Sequence, residues 1–122
     1  MLVDVKSELS RAHYLLGPER IQGSLQESTP LEPPERIGAL GGTGYQAHQP
    51  DVNISIYVFH SAHQHAAAVT TLTALIDTTQ FLILSGTNGR LLFFGYTDCR
   101  GADAIEAKYR LSELIGAFSG DE

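Results

Sequence analysis

The sequence predicts an α+β fold: an N-terminal helix, then ββαββα, with a four-stranded, mainly antiparallel sheet and helices packed on one face. Three observations lead to this prediction. Residues 52–58 alternate apolar and polar side chains, Asn88-Gly89 separates two apolar runs, and apolar residues recur at helical spacing elsewhere. Such alternation is typical of a half-buried strand, and Asn-Gly between apolar runs is typical of a hairpin. After the N-terminal segment, the predicted elements therefore form two consecutive ββα units.

The first 35 residues are expected to lie outside the sheet. Residues 1–17 have one apolar stripe at steps of three and four, which predicts an amphipathic helix that ends at Gly17-Pro18. Residues 18–35 are rich in Pro and Glu and show no period, which predicts a linker or strap. Residues 36–122 then form a single α+β domain. The stripe consists of Leu2, Val5, Leu9, Ala12 and Leu16.

The two later helices are predicted from their starts. Ser61 and Gln64 have the spacing of a capping box, as do Asp103 and Glu106, so a helix is expected to begin at each pair. The first of these helices should end near Asp77. Its predicted buried stripe is Ala62, Ala66, Val69, Leu72 and Ile76, and the apolar residues of the second are Ile105, Tyr109, Leu111, Leu114, Ile115 and Phe118.

Composition limits the classes of function. The 122 residues include 14 acidic and 8 basic side chains, and a net charge of −6 with scattered basic residues disfavours nucleic acid as a partner. No apolar run approaches the ~20 residues of a membrane span. One cysteine, Cys99, excludes an internal disulfide. The N-terminus has no leader pattern, so the chain reads as cytoplasmic as written and as extracytoplasmic if a leader was removed.

Two motifs resemble ligand sites. Gly42 to Ala47 matches G-x-G-x-x-A, but a strand rather than a helix is expected to follow, so we interpret it as a glycine-rich strand with a bulge at Gly41-Gly42. His60, His63 and His65 are weak candidates for a divalent metal. If a helix begins at Ser61, His63 and His65 lie ~200° apart around its axis and cannot bind one ion together. No cofactor is expected.

A catalytic reading has one location. The predicted topology places Cys99 at the end of the sheet opposite the histidine cluster, together with His48, Asp51 and Asp98. A thiolate nucleophile needs a base within hydrogen-bond reach, and His48 is the only imidazole expected at that end. The ordinary interpretation is two turns and an incidental thiol.

The apolar character of the last hairpin is the most informative clue to function. Leu91 to Phe94 place large apolar side chains on both faces of one strand, and a sheet that is apolar on both faces is usually covered on both. Either the N-terminal helix and linker cover the second face, or a partner or a second copy does. We therefore expect a non-catalytic binding or assembly domain, similar in architecture to small bacterial domains. Its expected contact residues are Leu2, Val5, Leu9, Leu92, Phe94 and Tyr96; the alternatives are a metal or small-ligand site at His60–His65 and a small enzyme with its site at the His48/Cys99 end.

Overall fold

The computed structural model of the chain describes residues 26–47, 51–98 and 104–119, without the side chains of Glu27 and of residues 117–119. It confirms the α+β class and the predicted order of strands and helices after the N-terminal segment. Residues 1–25, which include the predicted N-terminal helix, lie outside the described residues. The elements are β1 (Gln26–Ser28), β2 (Gly41–Ala47), β3 (Val52–Val58), α1 (His65–Thr73), β4 (Phe81–Asn88), β5 (Leu91–Asp98) and α2 (Ala104–Ser119).

The strands form one antiparallel sheet in the order β1-β2-β3-β5-β4. Four of them are the predicted strands, and the three-residue β1 adds a short fifth strand at one edge. β3 and β4 both pair with β5, so they run parallel to each other with β5 between them. The connection through α1 is therefore a crossover. β4 is the other edge of the sheet.

The two helices lie on opposite faces of the sheet, whereas the sequence predicted them on one face. Ile56 pairs with Phe93 and Tyr57 with Leu92, and residues paired across antiparallel strands share a face. On the Ile56 face, α2 packs with Ala107, Leu111, Leu114 and Ile115. On the Tyr57 face, α1 packs with Ala68 and Leu72. Because β5 is apolar on both faces, one helix on each face buries both sets of side chains.

A strap formed by residues 29–37 covers the part of the Tyr57 face that α1 does not reach. Leu31 and Ile37 pack against the aromatic cluster of that face. The Leu31 N–H donates to Ser55 Oγ at 2.9 Å, and the Tyr57 hydroxyl both accepts from the Glu32 N–H at 3.0 Å and donates to the Glu32 C=O at 2.8 Å. The strap ends in a 3-10 turn, Pro34–Ile37. This segment is thus a strap rather than a free linker.

The glycines of β2 make room for that strap. A Cβ at Gly44 would overlap the Thr29 carbonyl, and one at Gly42 would lie 2.8 Å from the Tyr57 ring. The pairing of β2 with β3 is continuous from Gly41 to Ala47, so the predicted bulge is absent from this pair. The G-x-G-x-x-A pattern therefore belongs to a strand, as interpreted from the sequence. Its glycines let the backbone of the strap and the Tyr57 ring come close to β2.

The start of α1 follows the predicted capping box. The Ser61 N–H donates to Gln64 Oε1 at 3.2 Å, and a 3-10 turn, Ala62–Gln64, precedes the α-helix. Of the predicted buried stripe, Leu72 is buried and Val69 and Ile76 pack against the Tyr57 face, whereas Ala62 and Ala66 are exposed. His65 and Ala68 are buried in their place. The α-helix also ends earlier, at Thr73.

Candidate interaction surface

The open edge of β4 is the main feature of the described surface. Within residues 26–47, 51–98 and 104–119, β4 pairs with β5 on one side and with no strand on the other. All eight of its residues pair with β5 without a bulge. The strand reads Phe-Leu-Ile-Leu-Ser-Gly-Thr-Asn and contains neither a charged residue nor a proline.

The backbone polar groups of this edge follow from the hairpin. β4 and β5 are joined by the two residues Gly89-Arg90, and Gly89 has φ 60, which a tight hairpin turn requires. The closing pair of a two-residue hairpin is hydrogen-bonded, so alternate residues counted back from Asn88 turn their N–H and C=O away from β5. In agreement, the Phe81 N–H donates to the Asp77 C=O at 3.0 Å. The outward set is Phe81, Ile83, Ser85 and Thr87.

Helix α2 brings exposed apolar side chains to the same half of the molecule. It lies across β4 and β5, yet Ile105 is 85% exposed and Tyr109 is 76% exposed. The sequence placed both among the apolar residues of the helix, and the structure leaves them out of the core. Leu111, Leu114 and Ile115 of the same predicted set do lie in the core, together with Ala107, because they stand on the side of the helix that meets the sheet.

The residues expected to bind a partner from the sheet face are covered by the chain itself. Leu92 and Phe94 have no exposed surface and pack with Tyr57, Phe59, Ala68 and Leu72. In this fold they therefore cannot contact a partner. Tyr96 is half-buried; its ring stands edge-on to Phe81, with 6.2 Å between the ring centroids. Burial raises the pKa of its hydroxyl above 10.0. Leu2, Val5 and Leu9 lie outside the described residues.

The histidine cluster divides as its helical geometry predicted. His65 is buried, its ring lies against Phe59 at 5.3 Å between centroids, and its Nε2 is 3.2 Å from the Arg90 carbonyl. His60 and His63 are exposed. Among the described residues no group of three His, Cys, Asp or Glu side chains could hold a metal ion. The interactions of His65 connect the start of α1 to the β4–β5 turn.

The opposite end of the sheet carries the second set of candidates. His48 and Cys99 lie outside the described residues. Asp51 and Asp98 do stand at the same end, because the Thr97 Oγ1–H donates to the Asp51 carbonyl at 2.6 Å. The positions of His48 and Cys99 are not tested by this contact, and the catalytic hypothesis for this end stays a prediction.

No helix in the described part of the chain is long and apolar enough to cross a membrane.

Comparison of the chain with protein-family models, with curated proteins and with solved structures found no match. The signal for the β4 edge was present in the sequence, as the lack of charge and proline over residues 81–88. Only the strand order shows that this run is an edge.

Proposed function

We propose that this protein is a non-catalytic protein-binding domain that takes up a β-strand of its partner along the open edge of β4. One observation supports the proposal above the others: β4 is eight residues long, uncharged, free of proline and unbulged, and no described residue pairs with its outer side. Such an edge presents backbone donors and acceptors in register for another strand.

The contrast between the two edges strengthens the argument. Natural sheets protect their edges with charged side chains, proline, bulges or very short strands. The edge at β1 has two of these features, because β1 is only three residues long and contains the charged residue Glu27. The edge at β4 has none of them. Protection of one edge and exposure of the other is what a domain that assembles through a single edge requires.

Strand addition would divide affinity and selectivity between two kinds of group. The outward N–H and C=O groups of Ile83, Ser85 and Thr87 would supply the hydrogen bonds, which carry no sequence preference. The helices above and below the edge would select the partner. Ile105 and Tyr109 project from α2, and the exposed side chains of α1 next to the sheet are Ala and Thr rather than charged residues.

A photo-crosslinking amino acid at Ser85, in cells that naturally make the protein, tests this proposal. Ser85 is exposed and central in β4. We expect a covalent adduct of defined mass with the probe at Ser85. Mass spectrometry of the adduct would then identify the partner as a second copy or another protein.

Thr71 offers a matched control for this experiment. It is also exposed, but it stands on α1 and bonds only back to the Ala67 carbonyl of its own helix, at 3.1 Å. The probe at Thr71 should give no defined adduct. Equal labelling at the two positions, or none at Ser85, would contradict the proposed function.

A further inference from the structure

We infer that the partner at this edge is a second copy of the chain, related by a two-fold axis that passes through the middle of β4 and brings the two α2 helices together. This inference rests on the proposed function and narrows it, because it names the occupant of the edge. Each copy would supply its β4 to the other in antiparallel pairing. The two sheets would join into one.

The distribution of charge permits a second copy at this edge. Each chain carries a net charge of −6, so two copies repel each other at long range. A contact between them must therefore avoid acidic side chains. Close to a two-fold axis a charged residue meets its own copy in the second chain, and this repulsion costs free energy. β4 meets this condition because it has no charged residue.

The first argument for a second copy is the direction in which α2 points its exposed side chains. The β3–α1–β4 connection joins parallel strands, and such crossovers are right-handed in about 98% of cases. The right-handed crossover fixes the side of α2 on which the β4 edge lies. At about 100° per residue, Ile105 and Ser112 then turn toward that edge and outward, whereas Tyr109 points straight away from the sheet. Their exposure agrees with this placement.

The second argument is spacing. Paired strands lie about 4.8 Å apart, and α2 lies across both β4 and β5. Joining two copies at β4 would therefore place the two α2 axes about 10 Å apart. Packed helices are separated by 8–10 Å. The same pairing that completes the sheet thus brings the β4 sides of the two α2 helices into contact range, where Ile105 would lose exposed surface.

The register places one residue of α2 near the axis. Pairing of the outward amides of Ile83, Ser85 and Thr87 centres the two-fold axis at Leu84 or Ser85. Leu84 pairs with Gly95, and the Leu111 side chain lies directly over Gly95. Ser112, the next residue after Leu111, is exposed and turned toward the edge. It should therefore meet Ser112 of the second copy across the axis.

Lys108 is the charged side chain on this side of α2, and it is exposed. It lies one turn before Ser112, away from the axis along the helix. Its four-carbon stem can cover apolar surface while the ammonium group stays in water. Its presence is compatible with the contact. Glu113 stands 100° around the helix from Ser112.

A symmetric disulfide tests the geometry. We would place Ser112→Cys in a Cys99→Ser background and oxidise the purified full chain. Residues facing each other across the axis would bring the two thiols within disulfide range. We expect most of the protein to run as a covalent dimer without reductant. Glu113→Cys in the same background is the matched control, and it should run as a single chain without reductant, because its thiols do not meet across the axis.

Sedimentation of the unmodified chain supplies the second readout. We expect a reversible dimer whose population rises with concentration. Ser85→Pro should reduce it to a monomer and abolish the Ser112→Cys disulfide. The Ser85 N–H points away from β5, so proline removes no bond within the sheet. Circular dichroism of this variant checks that the fold is kept.

The outcomes separate this inference from the proposed function. A purified chain that stays monomeric overturns the second-copy inference, and so does a dimer in which Glu113→Cys crosslinks as well as Ser112→Cys. If the probe at Ser85 captures a different protein in cells, the proposed function stands without the inference. Absence of any adduct at Ser85 would remove both.

Discussion

At the scale of single residues, the Tyr57 hydroxyl is the main polar attachment of the strap. Its two hydrogen bonds to the Glu32 backbone fasten residues 29–37 over an aromatic cluster. A sequence cannot show this contact, because residues 25 positions apart and without a charge pattern give no local signal. The alternation of residues 52–58 predicted a half-buried strand with Tyr57 on its polar side, but Tyr57 is fully buried, and nothing predicted what its hydroxyl would meet.

Tyr57→Phe should therefore destabilise the domain. The change leaves the Glu32 N–H and C=O without their partner, and an unsatisfied buried group costs about 1–3 kcal/mol. Urea unfolding would measure the loss. Tyr109→Phe is the control, because the Tyr109 side chain is exposed, and it should leave the unfolding midpoint in place. Equal midpoints for both variants would show that the Tyr57 bonds contribute nothing.

The pH dependence of stability follows from the same residue. Burial, the largest cause, raises the pKa of the Tyr57 hydroxyl above 10.0, and burial also raises that of Tyr96. The folded state therefore holds these protons more tightly than the unfolded chain. The resulting stability is complete below about pH 10 and is lost as the pH rises from there through the higher folded values. Urea unfolding at increasing alkaline pH, with phenolate absorbance followed in parallel, checks this expectation. A urea midpoint that increases as the pH rises beyond about 10 would contradict it.

At the scale of elements, the sequence predicted positions better than faces. The strands β2 to β5 and both helices occur where alternation, the Asn-Gly turn and the capping boxes placed them. β1 was missed because three residues carry no period. Ala62 and Ala66 were wrongly assigned to the buried side of α1, because alanines at several neighbouring positions do not mark a face. Local periodicity also cannot show which side of the sheet a helix crosses.

A pair of leucines tests the side of α1 that faces the sheet. Leu72 is fully buried and Leu75 is 50% exposed. Leu72→Ala should cost about 2–5 kcal/mol, the usual range for removal of a buried leucine. Leu75→Ala should cost less than ~1 kcal/mol, because it leaves no cavity. Thermal or urea unfolding of both variants would decide, and similar losses would argue against the assigned face.

The close approach of the strap to β2 gives a second test at this scale. A Cβ at Gly44 meets the Thr29 backbone, whereas one at Gly95 lies 2.5 Å from the movable end of the Leu111 side chain. We expect Gly44→Ala to destabilise the fold more than Gly95→Ala, because backbone yields less easily than a leucine methyl group. Denaturant unfolding compares the two. The reverse order would show that the strap is loosely held.

At the scale of the whole molecule, salt should distinguish the kind of contact between copies. The proposed dimer is held by backbone hydrogen bonds and apolar side chains, and it is opposed by two net charges of −6. Added salt screens that repulsion over about 8–10 Å at physiological strength. The dissociation constant should therefore fall as salt rises from low to physiological levels. Sedimentation at both salt levels measures it, and weaker association at higher salt would indicate a contact built on opposite charges.

The candidate surface could be predicted only in part from the sequence. The prediction of an assembly domain rested on Leu92 and Phe94, which the fold buries under α1 and the strap. The β4 edge and the Ile105–Tyr109 pair emerge only when strand order and helix placement are known. Both are properties of the assembled sheet, set by contacts between distant parts of the chain.

The way the strap is fastened has a consequence for partial unfolding. Residues 29–37 bond to the sheet through Leu31 and Glu32 and through the packing of Leu31 and Ile37. Because these attachments are few, the segment can detach as a unit while the paired strands persist. Detachment would expose the Tyr57 ring and the cluster beneath it to solvent. Amide exchange at Glu32 would then be faster than exchange in β3 or β5, and it would report the first opening of the domain.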